Sequence, residues 1–452
     1  MENKVQLGEE QIQAIEAIKK FIESSSETAF SLIGSAGTGK TTIMKELIKW
    51  LRPRKKYCLC APTHKAKLVL ERLTGDYNTQ TLHKLLALSP NIEILELDFR
   101  DLQFIVGKSE VNIPYKGVVI CDESSMINDE LFKLLNEKCK SMECKILFVG
   151  DKAQLRPVNS KDTSLVFNVK DRFELTKIYR QSDSSALMPI FQILRNNIIT
   201  HFESEEGKEG SLVCTEDATD FIRYALPKFR KAMSNRDILY TKIIAYTNNR
   251  VAGYNNCMKK ALFRDDKEYH PLEFLTGYEN LEFNGTKFFN SMDYIVTDEP
   301  KKMDVYIPEF MKLPGYELNL YDTTSDIISP IFILSKEISS DYFHALAAKI
   351  EDIRLAALEQ RSRIAANKLW GIYYSIIGSF TTPVDLCFNN RVIRKKSFDY
   401  GYACSAHKSQ GSTFQEIFVD IKNINSCRDD DERRQLQYVA LSRTRTNAYI
   451  LQ

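Results

Sequence analysis

The stretch Gly34-Ser35-Ala36-Gly37-Thr38-Gly39-Lys40-Thr41-Thr42 fits the phosphate-cradling pattern G-x-x-x-x-G-K-[ST] at every fixed position. Glycines at 34, 37 and 39 let the backbone turn its N–H groups inward around a polyphosphate. Lys40 adds a point charge for the outer phosphates. Thr41 offers a hydroxyl to Mg²⁺ and opens a helix whose positive end faces the same anion. Upstream, Ala29-Phe30-Ser31-Leu32-Ile33 is a short apolar run that reads as a buried strand. Downstream, residues 43–51 have helical spacing and stop before Pro53. Strand, loop and helix are the context the pattern requires, so ATP with Mg²⁺ is the expected ligand of residues 34–42.

A second apolar strand, Gly117-Val118-Val119-Ile120-Cys121, ends in Asp122-Glu123. Asp122 suits a Mg²⁺ water shell and Glu123 suits the attacking water, as phosphoryl transfer to water requires. Lys145-Ile146-Leu147-Phe148-Val149 then leads to Gly150-Asp151, with Gln154 placed to sense a γ-phosphate. Arg180 follows a short strand at 173–175 and suits transition-state charge, while residues 435–445 read as a helix exposing arginines. Before the loop, Gln11 sits on an amphipathic helix; its primary amide matches the edge of adenine, although taken alone an exposed helical Gln is the better reading.

Tyr57-Cys58-Leu59-Cys60-Ala61 reads as a further strand, followed by the polar loop Pro62-Thr63-His64-Lys65. In open α/β sheets such loops at strand C-termini line the ligand crevice. Thr81-Leu82-His83-Lys84 is a similar polar group. Residues 90–115 break the α/β rhythm and suggest an inserted hairpin, with Phe99 and Phe104 as candidates for its apolar tip or for packing it onto the domain. A second α/β unit begins near Arg180 and is interrupted at 281–394. Short alternating runs there suggest a small β barrel, and 341–379, free of proline, suggests a helical projection. The α/β pattern returns with His407-Lys408-Ser409-Gln410-Gly411 and ends on the strand Tyr449-Ile450-Leu451.

At 452 residues the chain exceeds one ordinary core, so two or three domains are expected. Its 43% hydrophobic and 27% charged content is that of a soluble globular protein. A net charge of +2 predicts no strong overall pull on nucleic acid, but a balanced total can hide a basic groove. The start Met1-Glu2-Asn3-Lys4-Val5 is no signal segment, and no run approaches the roughly 18 apolar residues of a membrane span, so a cytoplasmic protein is expected. The ten cysteines lack C-x-x-C spacing and read as buried, reduced thiols.

In order along the chain, Gln11, the loop at 34–42, Ala61-Pro62-Thr63-His64, Thr81-Leu82-His83, Asp122-Glu123-Ser124-Ser125, Gly150-Asp151 through Gln154, Arg180, His407-Lys408-Ser409-Gln410-Gly411 and Tyr438-Val439-Ala440-Leu441-Ser442-Arg443 resemble the motif series of superfamily-one DNA helicases of the RecD-like branch, closest to the phage Dda helicase type. The resemblance implies an α/β fold of two RecA-like P-loop domains with parallel sheets, an inserted β-hairpin pin, and an inserted SH3-like β-barrel with a helical tower. It places the first RecA-like domain at 1–89 and 116–179 and the pin at 90–115. The second RecA-like domain falls at 180–280 and 395–452, and the barrel and tower at 281–394. Lys40, Thr41, Asp122, Glu123 and Gln154 become the ATPase centre. Arg180 and Arg443 become arginine fingers, and Gln410 and Gly411 join the nucleotide contacts. Thr63, His64, Thr81, His83, His407 and Lys408 become the grip on single-stranded DNA, with Phe99 and Phe104 on the pin. Movement 5′ to 3′, a monomer, single-stranded and fork DNA as partners, and a single-strand-binding, replication or recombination protein as a possible associate follow from the resemblance alone. Arg156 stands where many relatives carry proline.

Two other readings stand beside this one. A motor of the same fold can move on single-stranded DNA or RNA without unwinding, and only the pin separates that case. A nucleotide-binding switch or assembly ATPase would hydrolyse slowly and ignore DNA.

Overall fold

The computed structural model describes residues 7–90, 104–106, 111–157, 160, 162–178 and 185–452. The first unit is a six-stranded parallel sheet in the order Thr79–Thr81, Tyr57–Ala61, Val118–Cys121, Lys145–Gly150, Ala29–Gly34, Asp171–Leu175. All six residues of Ala29–Gly34 are buried because both sheet faces are covered, which is why that run is apolar rather than alternating. On one face pack the helices Glu9–Ser24 and Lys40–Leu51, with Ile18, Leu32, Leu47 and Val149 in one cluster. The helix Asp129–Ser141 covers the other face, where Ile33, Leu135 and Phe148 meet.

The second unit is a five-stranded parallel sheet ordered Ala403–Ser405, Thr241–Ala245, Glu416–Asp420, Ala448–Leu451, Leu212–Thr215. Between its strands in sequence comes an antiparallel sheet built from Phe274–Gly277, Asp293–Val296, Lys301–Tyr306, Lys312–Asp322, Ile327–Leu334 and Phe398–Tyr400. It therefore reaches seven residues before and six after the interval 281–394 read from the sequence (281 − 274 and 400 − 394). Phe274–Gly277 is buried at all four positions, so it carries no alternation to mark it as an antiparallel strand. Its pairing with Asp293–Val296 and Phe398–Tyr400 decides the matter. The helices Ser340–Glu359 and Arg363–Ile377 supply the helical projection expected over 341–379.

This insert is not a separately packed lobe. Phe229 of the second unit meets Tyr402 edge-on at 5.6 Å, and the same cluster runs through Phe274, Tyr294 and Phe398. A buried ion pair, Lys242 to Asp293 at 2.9 Å, crosses the same junction. Leu88–Pro90 pairs antiparallel with Phe104–Val106 where the interval 90–115 begins; residues 91–103 of the expected hairpin lie outside the described residues. Phe99 lies outside the described residues, and of Phe104 only the backbone is described. All ten cysteines are free; against the expectation that they are buried, Cys214 is half-buried and Cys257 and Cys387 are exposed.

Candidate nucleotide and nucleic-acid site

The phosphate loop joins the end of Ala29–Gly34 to the start of the helix Lys40–Leu51, at the C-terminal edge of the sheet where parallel folds place ligands. Gly37 and Gly39 both have left-handed backbones, φ +88° and +84°, which turn the loop amides inward. A Cβ at 39 would stand 2.0 Å from Gln11 Nε2. Gln11 is itself buried: its Oε1 accepts from Gly8 N–H at 3.0 Å and its Nε2 donates to the Thr38 carbonyl at 3.1 Å. The amide thus pins the loop to the first helix and retains one N–H and one lone pair.

Lys40 Nζ donates to the carbonyls of Gly34 and Ser35 at 2.6 and 2.9 Å. Burial holds its pKa below the ordinary lysine value, opposed by Asp151, Glu123 and Asp122, which face it. Asp122 ends the strand Val118–Cys121; burial first, then its neighbour Glu123, pushes its carboxyl up to about 7, and Lys40 opposes both. Two acids held this close suit a divalent cation, whose charge would restore the carboxylate. Glu123 sits at φ +50°, a left-handed backbone that is rare outside glycine and turns its side chain away from the strand direction. Thr41 is half-buried in the helix's first turn.

The second unit completes this site. Arg443 follows the helix Asp430–Leu441, is 6% exposed, and is held by Nε donating to the Val439 carbonyl at 3.1 Å. Its field reaches Lys40, where it opposes the lysine's charge. Tyr438, one turn earlier, crosses between the units: its hydroxyl donates to Asp151 Oδ2 at 2.7 Å and accepts from the Ala36 N–H at 3.4 Å. Arg156 adds a second crossing, both Asp429 oxygens lying 3.1 Å from its Nη2. Among the described residues, the buried atoms Ser35 Oγ, Gln154 Oε1, Gln410 Nε2, Ser412 Oγ and Arg443 Nη2 have no hydrogen-bond partner. Unpaired buried polar atoms cost about 1–3 kcal/mol each, so this set fits a polar ligand shared by the two units.

A cavity of about 560 Å³ opens beside Glu123 and Gln410. It gathers Thr63, His64, Thr81 and His83 from the first unit with His407, Lys408 and Gly411 from the second. Thr63 and Thr81 cap the helices His64–Thr74 and Leu82–Leu85, their hydroxyls accepting from Ala66 N–H and Lys84 N–H, so helix N-termini face the cavity. Desolvation in the cleft lowers the pKa of His64, His83 and His407, leaving them neutral near pH 7. The cations there are Lys65, Lys408 and Arg156, the last paired with Asp429. Lys408 is lowered to about 8 by burial and by Lys396 and Lys65. Its Nζ stands 3.5 Å from the centre of the Tyr278 ring. The segment between Phe274–Gly277 and Asp293–Val296 adds contacts that the sequence reading assigned to no site: Phe289 stacks on His64 at 4.5 Å, and Asn280, Asn290 and Ser291 line the cavity. Phe288-Phe289 reads in sequence only as strand alternation. Arg180 lies outside the described residues.

Residues 6–214 match a family model described as an AAA domain, and residues 400–451 match one described as a UvrD-like helicase C-terminal domain. The chain is 24% identical to an uncharacterized protein of Acanthamoeba polyphaga mimivirus across 94% of its own length and 95% of that protein's. It is 29% identical to the ATP-dependent DNA helicase dda of Enterobacteria phage T4, across 61% of this chain and 62% of that one. A crystal structure of Pif1 helicase from Bacteroides in complex with ADP-AlF3 and ssDNA superposes with a TM-score of 0.50 at 17% identity, over 99% of this chain and 92% of that one. The α/β arrangement of two parallel-sheet units resembles the two RecA-like domains of that structure.

Proposed function

We propose that this chain, which belongs to the superfamily-one helicases of the Dda, RecD and Pif1 type, hydrolyses ATP between its two parallel-sheet units to move 5′ to 3′ along single-stranded DNA and to separate duplex. The observation that carries this reading is that the second unit reaches the phosphate loop, through Tyr438 on Asp151 and Ala36 and through the charge of Arg443 on Lys40, next to a cavity lined by both units. Loop amides and Lys40 hold the outer phosphates, and Gln11 and Gly39 fix the loop. Thr41 and Asp122 would hold Mg²⁺, which neutralises developing charge when bound. Glu123 orients and deprotonates the attacking water. Gln154 senses the γ-phosphate, and Arg443 supplies transition-state charge from the far side only when the units are closed. Arg180 is proposed as a second such arginine.

Hydrolysis weakens the attraction between the units, and the two halves of the DNA grip then separate. Thr63, His64, Thr81 and His83 form one half of that grip, and His407 and Lys408 the other. The domain division at 1–89 with 116–179, 90–115, 180–280 with 395–452, and 281–394 belongs to this reading, with the second pair of boundaries moved outward to the antiparallel sheet. That sheet is read as the SH3-like barrel and the hairpin at 90–115 as the pin.

The test is steady-state ATP hydrolysis with and without single-stranded DNA, beside unwinding of partial duplexes with a 5′ or a 3′ overhang. Strong stimulation with unwinding from the 5′ overhang alone is expected. Hydrolysis indifferent to DNA would overturn the motor in favour of a switch; stimulation without unwinding would leave a translocase and remove the pin's role.

A further inference from the structure

The chain is nearly neutral overall, with 62 basic against 60 acidic side chains, and single exposed lysines are scattered over it, Lys133, Lys208 and Lys260 among them. One place instead gathers several cations around a concave surface. The run Arg52-Pro53-Arg54-Lys55-Lys56, between the helix Lys40–Leu51 and the strand Tyr57–Ala61, forms one wall of an open trough of about 940 Å³. Lys84 and Tyr77 stand on its other side.

Helix capping accounts for part of this run. Arg52 pairs with Asp76 at 3.3 Å, and Arg54 donates to the Trp50 carbonyl at 2.8 Å. Lys55, Lys56 and Lys84 make no ion pair among the described residues, and Asp76, the nearby acid, is already engaged by Arg52 and the Tyr57 hydroxyl. Tyr77 is 86% exposed, and no ring or cation stacks on it among the described residues. Unpaired cations along a concave track with a bare aromatic face are what a single strand needs: phosphates neutralised along the backbone and a platform for a base.

The trough is separate from the cleft between the units. Its lining at Gln80 and Lys84 adjoins Thr81 and His83 of the cleft, and its lining at Asn112 and Pro114 follows in sequence the paired strands Leu88–Pro90 and Phe104–Val106, where the proposed pin hairpin begins. A strand parted from its complement at that hairpin, while the complement enters the cleft, meets this trough first. We infer that the trough around Lys55, Lys56, Lys84 and Tyr77 is a second nucleic-acid track that holds the displaced single strand of a fork. The inference rests on the helicase reading for the source of that strand, and on the trough alone for its chemistry.

The test is fluorescence anisotropy, without ATP, on three DNAs: a duplex with a 5′ tail, the same duplex with a non-complementary 3′ arm, and the tailed duplex lengthened to the same number of phosphates. The arm is expected to tighten binding about tenfold near 0.1 M salt. A Lys55→Gln, Lys56→Gln double variant should lose that gain and flatten the salt dependence by between one and two units of slope, since each single-strand phosphate contact contributes about 0.7. Tyr77→Ala should lose part of the gain at unchanged slope, because stacking releases no counterions. Stimulation of ATP hydrolysis by an unstructured oligonucleotide should stay at the wild-type level in both variants, which marks the trough as distinct from the translocating cleft. The inference fails if the arm brings no gain in the wild-type protein, if the double variant keeps the gain, if added duplex serves as well as the arm, or if stimulation falls in step with fork binding. Absence of any stimulation in the wild-type protein would instead sink the helicase reading, and the arm-dependent gain would still judge the trough.

Discussion

Replacing Tyr438 with phenylalanine removes one oxygen from the junction of the two parallel-sheet units and nothing else. That hydroxyl donates to Asp151 Oδ2 at 2.7 Å and accepts from the Ala36 N–H at 3.4 Å. The second contact is long, and a free Ala36 amide can turn to a phosphate, so it contributes little. The first joins a hydroxyl to a fully buried acid, whose other oxygen keeps the Ala153 N–H at 3.0 Å. A hydrogen bond to a charged group contributes about 1.5–3 kcal/mol, and removing a donor from a buried acceptor costs about as much. Tyr438→Phe should therefore weaken closure of the units by about 2 kcal/mol, up to roughly 30-fold in the population of the closed state. On the proposed mechanism catalysis needs Arg443 and the phosphate loop together, so kcat for DNA-stimulated hydrolysis should drop by between about threefold and thirtyfold. Binding of nucleotide to the first unit should change by less than about threefold. Thermal unfolding should move down in step, read at fixed protein concentration. A variant with wild-type kcat and an unchanged melting temperature would refute the idea that this bond operates in the working cycle. A large loss of nucleotide binding would instead place Tyr438 in the binding site itself.

Three further outcomes follow from the same geometry. Glu123→Gln keeps the left-handed turn and the shape of the site but removes the base, so ATP binding by equilibrium titration should persist while turnover stalls; lost binding would overturn the assignment. Arg443→Ala should lower kcat by roughly a thousandfold or more with little effect on nucleotide affinity, as for arginine fingers generally, and equal losses in both would show a binding role. Single-strand affinity should be constant up to about pH 8 and decline above it by at most tenfold per unit: the Lys408 ammonium, lowered to about 8, is charged below that value, a phosphate partner raises it in the complex, and the cleft histidines are already neutral. Lys408→Arg should bind with a flat profile across pH 6.5–9.5, and a flat wild-type profile would remove Lys408 from the grip.

The parts of the fold that the sequence states plainly are those in which each side chain answers to its own strand or helix. The loop at 34–42 needs glycines at fixed places, and the flanking strand is apolar because both faces of its sheet are covered. Asp122 and Glu123 are legible for the same reason, standing where a buried strand ends. Phe274–Gly277 was not, because burial at every position erases the alternation that distinguishes an antiparallel strand from a parallel one. Only its partners, around twenty and a hundred and twenty positions further along, settle its place.

The site divides along the same line. Tyr438 and Arg443 both lie in one recognisable run, yet only the arginine carries a charge that announces chemistry; the role of the tyrosine depends on Asp151, 287 positions away. Arg156 looked like a departure from the pattern and instead holds Asp429 across the junction, so its identity answers to a partner on the other unit. Gln11 shows the reverse. Its amide was read as a probe for adenine, and the structure gives half of its hydrogen-bonding capacity to Gly8 and Thr38. A base bound there must use the N–H and lone pair that remain. Any tilt of the amide toward the base then pulls on the Thr38 carbonyl, and through it on the turn at Gly39. If Gln11 reads the base, base recognition and phosphate-loop geometry are in that way mechanically joined through one side chain, an arrangement that spacing along the chain has no means to express.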